Sequence, residues 1–205
     1  MADSKTNRSG PRRYPKGERR RDEIIAVAAE VYADAGYQGA SLREIAKRIG
    51  MTHAGLLYHF PNREALLTAV LERRDEQDAE RVDLRGPASL VALGHLLELA
   101  GYNQRHPAIV ELYVRLAAEA IAEEHPANDY FTQHYAMARK YAYSSFAALS
   151  EAGQLRPGVD PETAAVTFIA LMDGLQVQWL TSPDEVDLVG PLRFLLEHLL
   201  TVPLG

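Results

Sequence analysis

The segment from Ser41 to Arg63 constrains the fold of this chain most, because its residues predict two short helices joined by a tight turn. Ser41 and Glu44 have the S-x-x-E spacing of a capping box, which predicts that a helix begins at Ser41. Gly50 ends this helix, because glycine tolerates the left-handed backbone that such an ending usually needs. Between them, apolar residues recur at helical spacing and form one face: Leu42, Ile45, Ala46 and Ile49.

The second helix of this segment runs from Met51 to Tyr58, with Thr52 as its N-terminal cap. It turns Leu56 and Leu57 inward and leaves an outward face made of Thr52, His53 and Gly55. Two helices joined by a short turn that contains glycine are typical of a helix-turn-helix unit. In that unit the N-terminal part of the second helix meets base edges in the DNA major groove. An ordinary helical hairpin inside an all-α core is the alternative interpretation.

Hydrogen-bonding and basic residues around the segment favour DNA binding. Tyr58, His59 and Arg63 can bond to phosphate oxygens, which receive most protein–DNA hydrogen bonds. Residues 1–21 add eight basic residues against two acidic ones, Asp3 and Glu18: Lys5, Arg8, Arg12, Arg13, Lys16, Arg19, Arg20 and Arg21.

The net charge of −6 divides unevenly along the chain. Residues 1–63 carry 12 Lys and Arg against 7 Asp and Glu, a balance of +5. Residues 64–205 carry 10 against 21, a balance of −11. A basic end on an acidic body is expected of a protein that touches phosphate at one end only.

The stretch from Ile24 to Leu71 resembles the N-terminal domain of TetR-type transcriptional regulators. A first helix ending at Ala-Gly-Tyr, a serine cap and an F-P-N-R-E-A-L-L run opening a long fourth helix carry the resemblance. The chain departs from the family at Leu57, where a phosphate-touching tyrosine is common, so Tyr58 and His59 are expected to carry that contact. The residues predicted to contact DNA are Ser41, Arg43, Thr52, His53, Ala54, Gly55, Tyr58, His59 and Arg63.

Composition excludes several other classes of protein. The 205 residues include no cysteine, which excludes disulfides and thiolate metal sites and agrees with a reducing cytoplasm. No apolar run reaches the roughly 18 residues needed to span a membrane, and the N-terminus lacks the apolar stretch of a signal peptide. We therefore expect a cytoplasmic protein without membrane contact.

Sequence motifs for catalysis are missing as well. The chain has no G-x-S-x-G, no phosphate-cradling glycine loop and no H-E-x-x-H. His95 and Glu98 lie one helical turn apart, but di-iron bundles need the reverse order, Glu-x-x-His, with further carboxylates. We expect no enzymatic activity, no cofactor and no metal.

The remainder of the chain predicts an all-α fold of about nine helices. Residues 1–17 are expected to be a disordered basic tail. Residues 18–81 form the DNA-binding domain, with its helix-turn-helix near 41–60, and residues 82–205 form a ligand-binding and dimerisation domain. The boundary is predicted at DLRGP (83–87). The other helices are expected near residues 17–35, 62–82, 88–104, 107–121, 129–152, 161–181 and 189–200.

Two stretches of these helices carry structural predictions. The polar run ERRDEQDAER (72–81) in the fourth helix predicts a solvated bridge between the domains. The last two helices carry apolar stripes that are broad for surface helices, and the resemblance implies that they pair with a second chain in a four-helix bundle. An intrachain core is the alternative. The predicted dimerisation residues are Phe168, Met172, Leu175, Leu192, Leu195, Leu196 and Leu199.

A mixed stripe of aromatic and polar side chains on the middle helices predicts a ligand cavity. In the resembling family the C-terminal domain holds a small-molecule effector. Plain core roles for Met137 and Tyr141, and solvent exposure of His95 and Glu98, are the alternatives. The candidate ligand-binding residues are His95, Glu98, Tyr102, Tyr113, His134, Met137, Tyr141, Gln176 and Trp179.

Two hypotheses follow for function. The first is a repressor that binds a palindromic operator in double-stranded DNA as a homodimer and is released by an unknown small molecule. A transcriptional activator of the same fold is a variant of it. The second hypothesis is a helical enzyme or carrier that has kept a helix-turn-helix-like end.

Overall fold

The computed structural model describes residues 16–81 and 88–204, and within these ranges the chain forms nine α-helices. The all-α prediction is therefore confirmed. The predicted boundary at 83–87 and nearly all of the predicted basic tail lie outside the described residues. The helices are α1 (Lys16–Gly39), α2 (Leu42–Arg48), α3 (His53–His59), α4 (Arg63–Arg81), α5 (Leu90–Gln104), α6 (Pro107–Glu119), α7 (Asn128–Glu151), α8 (Pro161–Thr181) and α9 (Val189–Leu199).

Most helix ends follow the sequence prediction. Asn62 caps α4 by accepting a hydrogen bond from the Ala65 amide at 2.8 Å, and α8 has the predicted bounds. The sequence predicts that α1 ends at Gly36, but the helical hydrogen bonding continues to Gly39. Gly36 has a φ of 69° and therefore kinks the helix at this point.

Buried apolar side chains form two clusters. The head core joins α1–α4 and also includes Leu112, Tyr113 and Leu116 of α6 and Phe131 of α7. The body core joins α5, α7, α8 and α9. Because α6 and α7 contribute to the head core, the N-terminal helices rest directly on the C-terminal half of the chain.

The apolar stripes of α8 and α9 face their own chain. Of the predicted dimerisation residues, Phe168, Leu175, Leu192 and Leu196 are at most 6% exposed, and Met172, Leu195 and Leu199 are partly buried against the body core. The assignment of the four buried residues to a dimer face was wrong, because the broad apolar faces of α8 and α9 pack within the body core of their own chain. The apolar residues that they leave exposed are Val166, Ala170, Val177 and Phe194.

Two further predictions need correction. The run ERRDEQDAER is not solvated on all sides, since Arg74 and Asp75 are partly buried and Asp78 is 8% exposed. These three residues share the side of α4 that faces the C-terminal helices. The sixth helix is predicted to reach residue 121, but α6 ends at Glu119 and Ile121 is 81% exposed.

Candidate DNA interface and effector cavity

The helix-turn-helix unit is held by two side-chain caps. The Ser41 Oγ accepts a hydrogen bond from the Glu44 amide at 3.2 Å, and the Thr52 Oγ1 accepts one from the Gly55 amide at 3.0 Å. Each cap satisfies an amide at a helix start that has no partner within the helix. The sequence prediction of both caps is confirmed.

The turn between α2 and α3 depends on glycine. Gly50 has a φ of 63°, a conformation that residues with a Cβ rarely adopt. The Met51 amide then donates to the Ala46 carbonyl at 2.9 Å, which closes the turn. A Cβ at Gly55 would come within 3.2 Å of the Thr52 Oγ1, so glycine there leaves the α3 cap undisturbed.

A group of solvent-exposed side chains, here called the reading surface, lies on this unit. It contains six of the nine residues predicted to contact DNA, and Tyr58 is 88% exposed. Gly55 and His59 are partly buried. The reading surface comprises Ser41, Arg43, Thr52, His53, Ala54 and Tyr58.

Arg63 is partly buried and packs on the ring of Tyr37, and its phosphate contact stays a prediction. Its guanidinium carbon is 3.8 Å from the centre of the Tyr37 ring, and its Nε and Nη2 are buried. The Tyr32 hydroxyl donates to the Arg63 carbonyl at 3.5 Å. Arg63 therefore braces the start of α4 against α1 through a cation–π contact.

Two basic residues of α1 brace the helix-turn-helix unit from the other side. Arg20 donates to the carbonyl of Ile49 at 2.9 Å, at the turn between α2 and α3. Arg21 donates to the carbonyl of His59 at 3.4 Å and lies 4.4 Å from the centre of the Phe60 ring. The sequence placed both arginines in a phosphate-binding group, and their role in positioning the unit had no signal in the sequence.

A set of polar contacts, here called the polar junction, links α4 to α6 and α7. The Tyr130 hydroxyl donates to the Asp75 carboxylate at 2.7 Å, and His134 Nδ1 lies 3.2 Å from the same oxygen. The Arg74 guanidinium carbon lies 3.9 Å from the centre of the Tyr113 ring. The ring centres of Tyr113 and His134 are 5.3 Å apart, so the contacts are continuous.

A solvent-open cleft of about 290 Å³ between α6 and α8, here called the α6–α8 cavity, borders this junction. Its polar wall consists of Tyr113, Tyr135, Asp173 and Gln176, and the rest of its wall is apolar: Val114, Ala117, Ala118, Ile121 and Val177. Tyr113 and Gln176 are each 4% exposed. Within the described part of the chain, the Tyr113 hydroxyl and the Gln176 Oε1 have no hydrogen-bond partner.

Burial is the largest cause of the shifted pKa values of the acidic and tyrosine side chains around the cavity. It raises the pKa of the Asp173 carboxyl, although a hydrogen bond from Tyr135 and the charges of His134 and Arg74 oppose the shift. Burial also raises the pKa of Tyr113 and of Tyr135, and burial together with the Asp75 carboxylate raises the pKa of Tyr130. These three tyrosine hydroxyls therefore stay protonated at neutral pH and are available as donors.

The other predicted ligand residues lie elsewhere. His95, Glu98 and Tyr102 line a separate surface groove of about 810 Å³ between α5 and α9. Tyr141 and Trp179 pack in the body core. Met137 is 62% exposed, so its assignment to a cavity wall was wrong. In residues 16–81 and 88–204, no three His, Cys, Asp or Glu side chains are placed to hold a metal ion.

Family models match both halves of the chain. Residues 24–70 match the model described as bacterial regulatory proteins of the tetR family. Residues 93–202, more than half of the chain, match the model of the BetI-type transcriptional repressor C-terminal domain. The chain belongs to the TetR family. It is thus a DNA-binding transcriptional regulator with an N-terminal helix-turn-helix and a C-terminal regulatory domain.

Individual TetR-family relatives are distant in sequence. The A-factor receptor protein of Streptomyces griseus is 27% identical over 179 residues, which cover 86% of this chain and 61% of that receptor, so the match spans less than two thirds of the receptor's length. The regulator TtgR of Pseudomonas putida is 28% identical over 193 residues, covering 84% of this chain and 86% of TtgR.

The fold matches solved TetR-family structures. A regulator from Rhodococcus sp. superposes with a TM-score of 0.73 at 27% identity, covering 90% of this chain and all of that one. No helix in the described residues of this TetR-family chain is long and apolar enough to cross a membrane.

Proposed function

We propose that this protein is a repressor that binds a palindromic operator as a homodimer and leaves it when a small molecule enters the α6–α8 cavity. The observation that carries the proposal is the reading surface, where two capped helices present exposed polar residues while their apolar faces close the head core. His53 and its neighbours at the start of α3 occupy the position that meets base edges in this motif. In this proposal Ser41, Arg43 and Tyr58 contact phosphates on either side, and their exposure to solvent supports that role.

The dimer face is proposed on α8 and α9. Val166, Ala170 and Val177 lie at helical spacing on one exposed side of α8, and Phe194 is 62% exposed on α9. A two-fold dimer would bury this patch against its own copy. It would also set the two reading surfaces on half-sites about 34–36 Å apart, or a multiple of that distance.

Helix α4 is the proposed link between the cavity and DNA. It begins beside α3 at Arg63 and carries Arg74 and Asp75 of the polar junction. A second cavity of about 470 Å³ lies between α1, α4 and α6, with Tyr113 and Arg74 in its wall. A ligand that displaces the Tyr113 ring would therefore move α4 and change the separation of the two reading surfaces.

A titration of duplex DNA from the gene's own promoter region, at two salt concentrations, tests the proposal. Specific binding that falls steeply as salt rises is expected, because phosphate contacts release condensed cations. Equal affinity for the promoter duplex and a scrambled duplex of the same length would refute operator binding.

The dimer face has its own test. Phe194→Glu places a charge in the proposed interface and is expected to give a monomer by sedimentation and to lower operator affinity by about tenfold or more, the equivalent of about 1.4 kcal/mol. The control Val91→Glu adds the same charge at a residue that is 64% exposed on α5, outside the proposed face. Identical sedimentation of both variants and the wild type would refute this face.

A further inference from the structure

The chemistry of the α6–α8 cavity restricts what it can hold. Among the side chains that line it, Asp173 is the single acidic residue, and no basic residue lines it. The remaining polar groups are two tyrosines and one glutamine, and the other five lining residues are apolar. A ligand that fills this space must therefore complement a carboxylate within a largely aromatic and aliphatic wall.

The charge of Asp173 is incompletely balanced by the protein itself. Arg74, the nearby cation, lies on the Tyr113 ring and pairs with Asp78 at 3.6 Å. His134 Nδ1 lies 3.2 Å from the carboxylate of Asp75. Both basic groups thus have acidic partners of their own on α4. The Tyr135 hydroxyl donates one hydrogen bond to Asp173. A partly buried carboxylate with one hydrogen bond and no cation of its own is destabilising, and a bound cation would offset that cost.

Gln176 adds a second requirement. It lies one helical turn from Asp173 on α8, is 4% exposed and has an Oε1 with no partner in the described part of the chain. A buried amide oxygen without a donor costs about 1–3 kcal/mol. A ligand with an N–H group can supply the donor that the protein does not.

The aromatic rings complete the site. Tyr113 and Tyr135 both line the cavity, and the face of an aromatic ring attracts cations. Arg74 covers the Tyr113 ring at 3.9 Å, so the Tyr135 ring is the better placed of the two to receive a second cation. Ile121 and Val177 form the apolar rim at the protein surface and suit a hydrocarbon portion of the ligand.

We propose that this cavity binds a small organic ammonium ion, with Asp173 as its counter-ion, Gln176 as an N–H acceptor and the tyrosine rings and aliphatic rim around its hydrocarbon part. The inference rests on the proposed function only in taking this cavity as the effector site. Recognition of the ammonium group by these residues is a separate claim that needs no DNA.

The first experiment compares three probes of one shape on the free protein by calorimetry: phenethylammonium, neutral 2-phenylethanol and anionic 3-phenylpropanoate. Phenethylammonium is expected to bind about tenfold or more tightly than either of the others, since a charge-assisted hydrogen bond is worth about 1.5–3 kcal/mol. Equal or tighter binding of the alcohol or the anion would overturn the proposal, and so would the absence of ammonium binding at millimolar concentration.

Two isosteric variants then assign the contacts. Asp173→Asn is expected to abolish the preference for the ammonium over the alcohol, whereas the control Glu98→Gln, a carboxylate in the α5–α9 groove, keeps it. Gln176→Leu is expected to abolish the preference for phenethylammonium over its N,N,N-trimethyl derivative, which has no N–H. If Asp173→Asn and Glu98→Gln retain the same preference, the site lies elsewhere and the proposal fails.

Failure of this proposal and failure of the proposed function give different results. Operator binding by the free protein, without any probe binding that depends on Asp173, would overturn the ammonium site and leave the repressor proposal standing. Binding that depends on Asp173 but leaves the operator complex intact would support the ammonium site and overturn the release step of the proposed function.

Discussion

The reading surface and the polar junction use polar side chains in opposite ways. On the reading surface they point into solvent, and the scaffold beneath them is closed by local contacts: two caps, a glycine turn and the head core. At the junction the polar groups are partly buried, and they bond across α4, α6 and α7. The first region therefore presents its polar groups to a binding partner, while the second holds the N-terminal helices to the regulatory half of the chain.

The largest effect is expected from breaking the scaffold of the reading surface. Ala46 is 2% exposed between α2 and α3, so Ala46→Glu buries a charge without a partner and should lower the free energy of unfolding by about 3 kcal/mol or more. Urea denaturation and operator titration measure both consequences. Ala35→Glu, at an exposed position of α1, is the control. Similar stability of the two variants would contradict close packing of Ala46 in the head core.

The junction should respond less strongly. Tyr130→Phe removes the hydroxyl that donates to Asp75 at 2.7 Å. The loss of a hydrogen bond to a charged group should lower the free energy of unfolding by about 1.5–3 kcal/mol. Because the reading surface stays intact, operator affinity without ligand should change little. A control is Tyr143→Phe, at a side chain that is 47% exposed on α7. If Tyr130→Phe lost as much operator affinity as Ala46→Glu, the reading surface would depend on the polar junction, and the two regions would not be separate.

Sequence and structure agree best where function is local. The caps at Ser41 and Thr52 and the turn at Gly50 lie within a dozen residues. Each depends on the type of one residue and on its near neighbours, so the sequence alone predicts it. The junction left no such signature, because its members come from α4, α6 and α7 and meet only in the folded chain. Asp75 was hidden in a run that looked uniformly solvated, and Asp173 in an apolar stripe.

The wrong predictions also concern contacts between distant elements. Phe168 and Leu192 were assigned to a dimer face because an apolar stripe predicts burial but does not say against what. Periodicity likewise puts Met137 and Tyr141 on one side of α7, yet Met137 is exposed and Tyr141 is partly buried, so the two residues do not share one environment. For Arg63, whose phosphate contact stays a prediction, the sequence shows the charge but not the packing of the guanidinium on the Tyr37 ring.

Arg63 itself offers the next test. If it braces α1 against α4, Arg63→Ala should lower the free energy of unfolding by about 1 kcal/mol, the order of a cation–π contact. The dependence of operator affinity on salt should then keep its slope, since that slope falls by about 0.9 for each phosphate that a variant no longer neutralises. Arg43→Ala, on the reading surface, is the comparison that should reduce it. A reduced slope for Arg63→Ala would return this residue to the DNA interface.

Stability as a function of pH gives a smaller and more specific effect. Burial raises the folded-state pKa of Asp173, so the folded chain holds this proton more tightly than the unfolded chain. Between the unfolded carboxyl's pKa of about 3.9 and the raised folded value, this group makes the protein less stable as pH rises. The Asp173→Asn variant has no carboxyl group that titrates at this position. Its stability relative to the wild type should therefore increase with pH through this window and then level off.

Urea denaturation of both proteins across a pH series measures that difference, and effects of other groups cancel in it. A difference independent of pH would contradict a raised pKa. The wild type should also bind phenethylammonium more tightly as pH rises through the same window, because only the ionised Asp173 is a counter-ion.

The smallest effect is expected on the reading surface itself. Tyr58 is 88% exposed and makes an edge contact with the His59 ring at 5.4 Å between centres, so removal of its hydroxyl costs the fold almost nothing. Tyr58→Phe should weaken operator binding by about 0.5–1.5 kcal/mol, less than the loss of a buried hydrogen bond to a charged group, because this contact to a phosphate is exposed to solvent and screened by salt. The loss should be equal for all operator variants, because phosphates carry no sequence. His53→Ala is the contrast, since a residue that meets base edges should change the order of preference among operators. Equal losses on every operator for both variants would place His53 on the phosphates and move base recognition to other residues of α3.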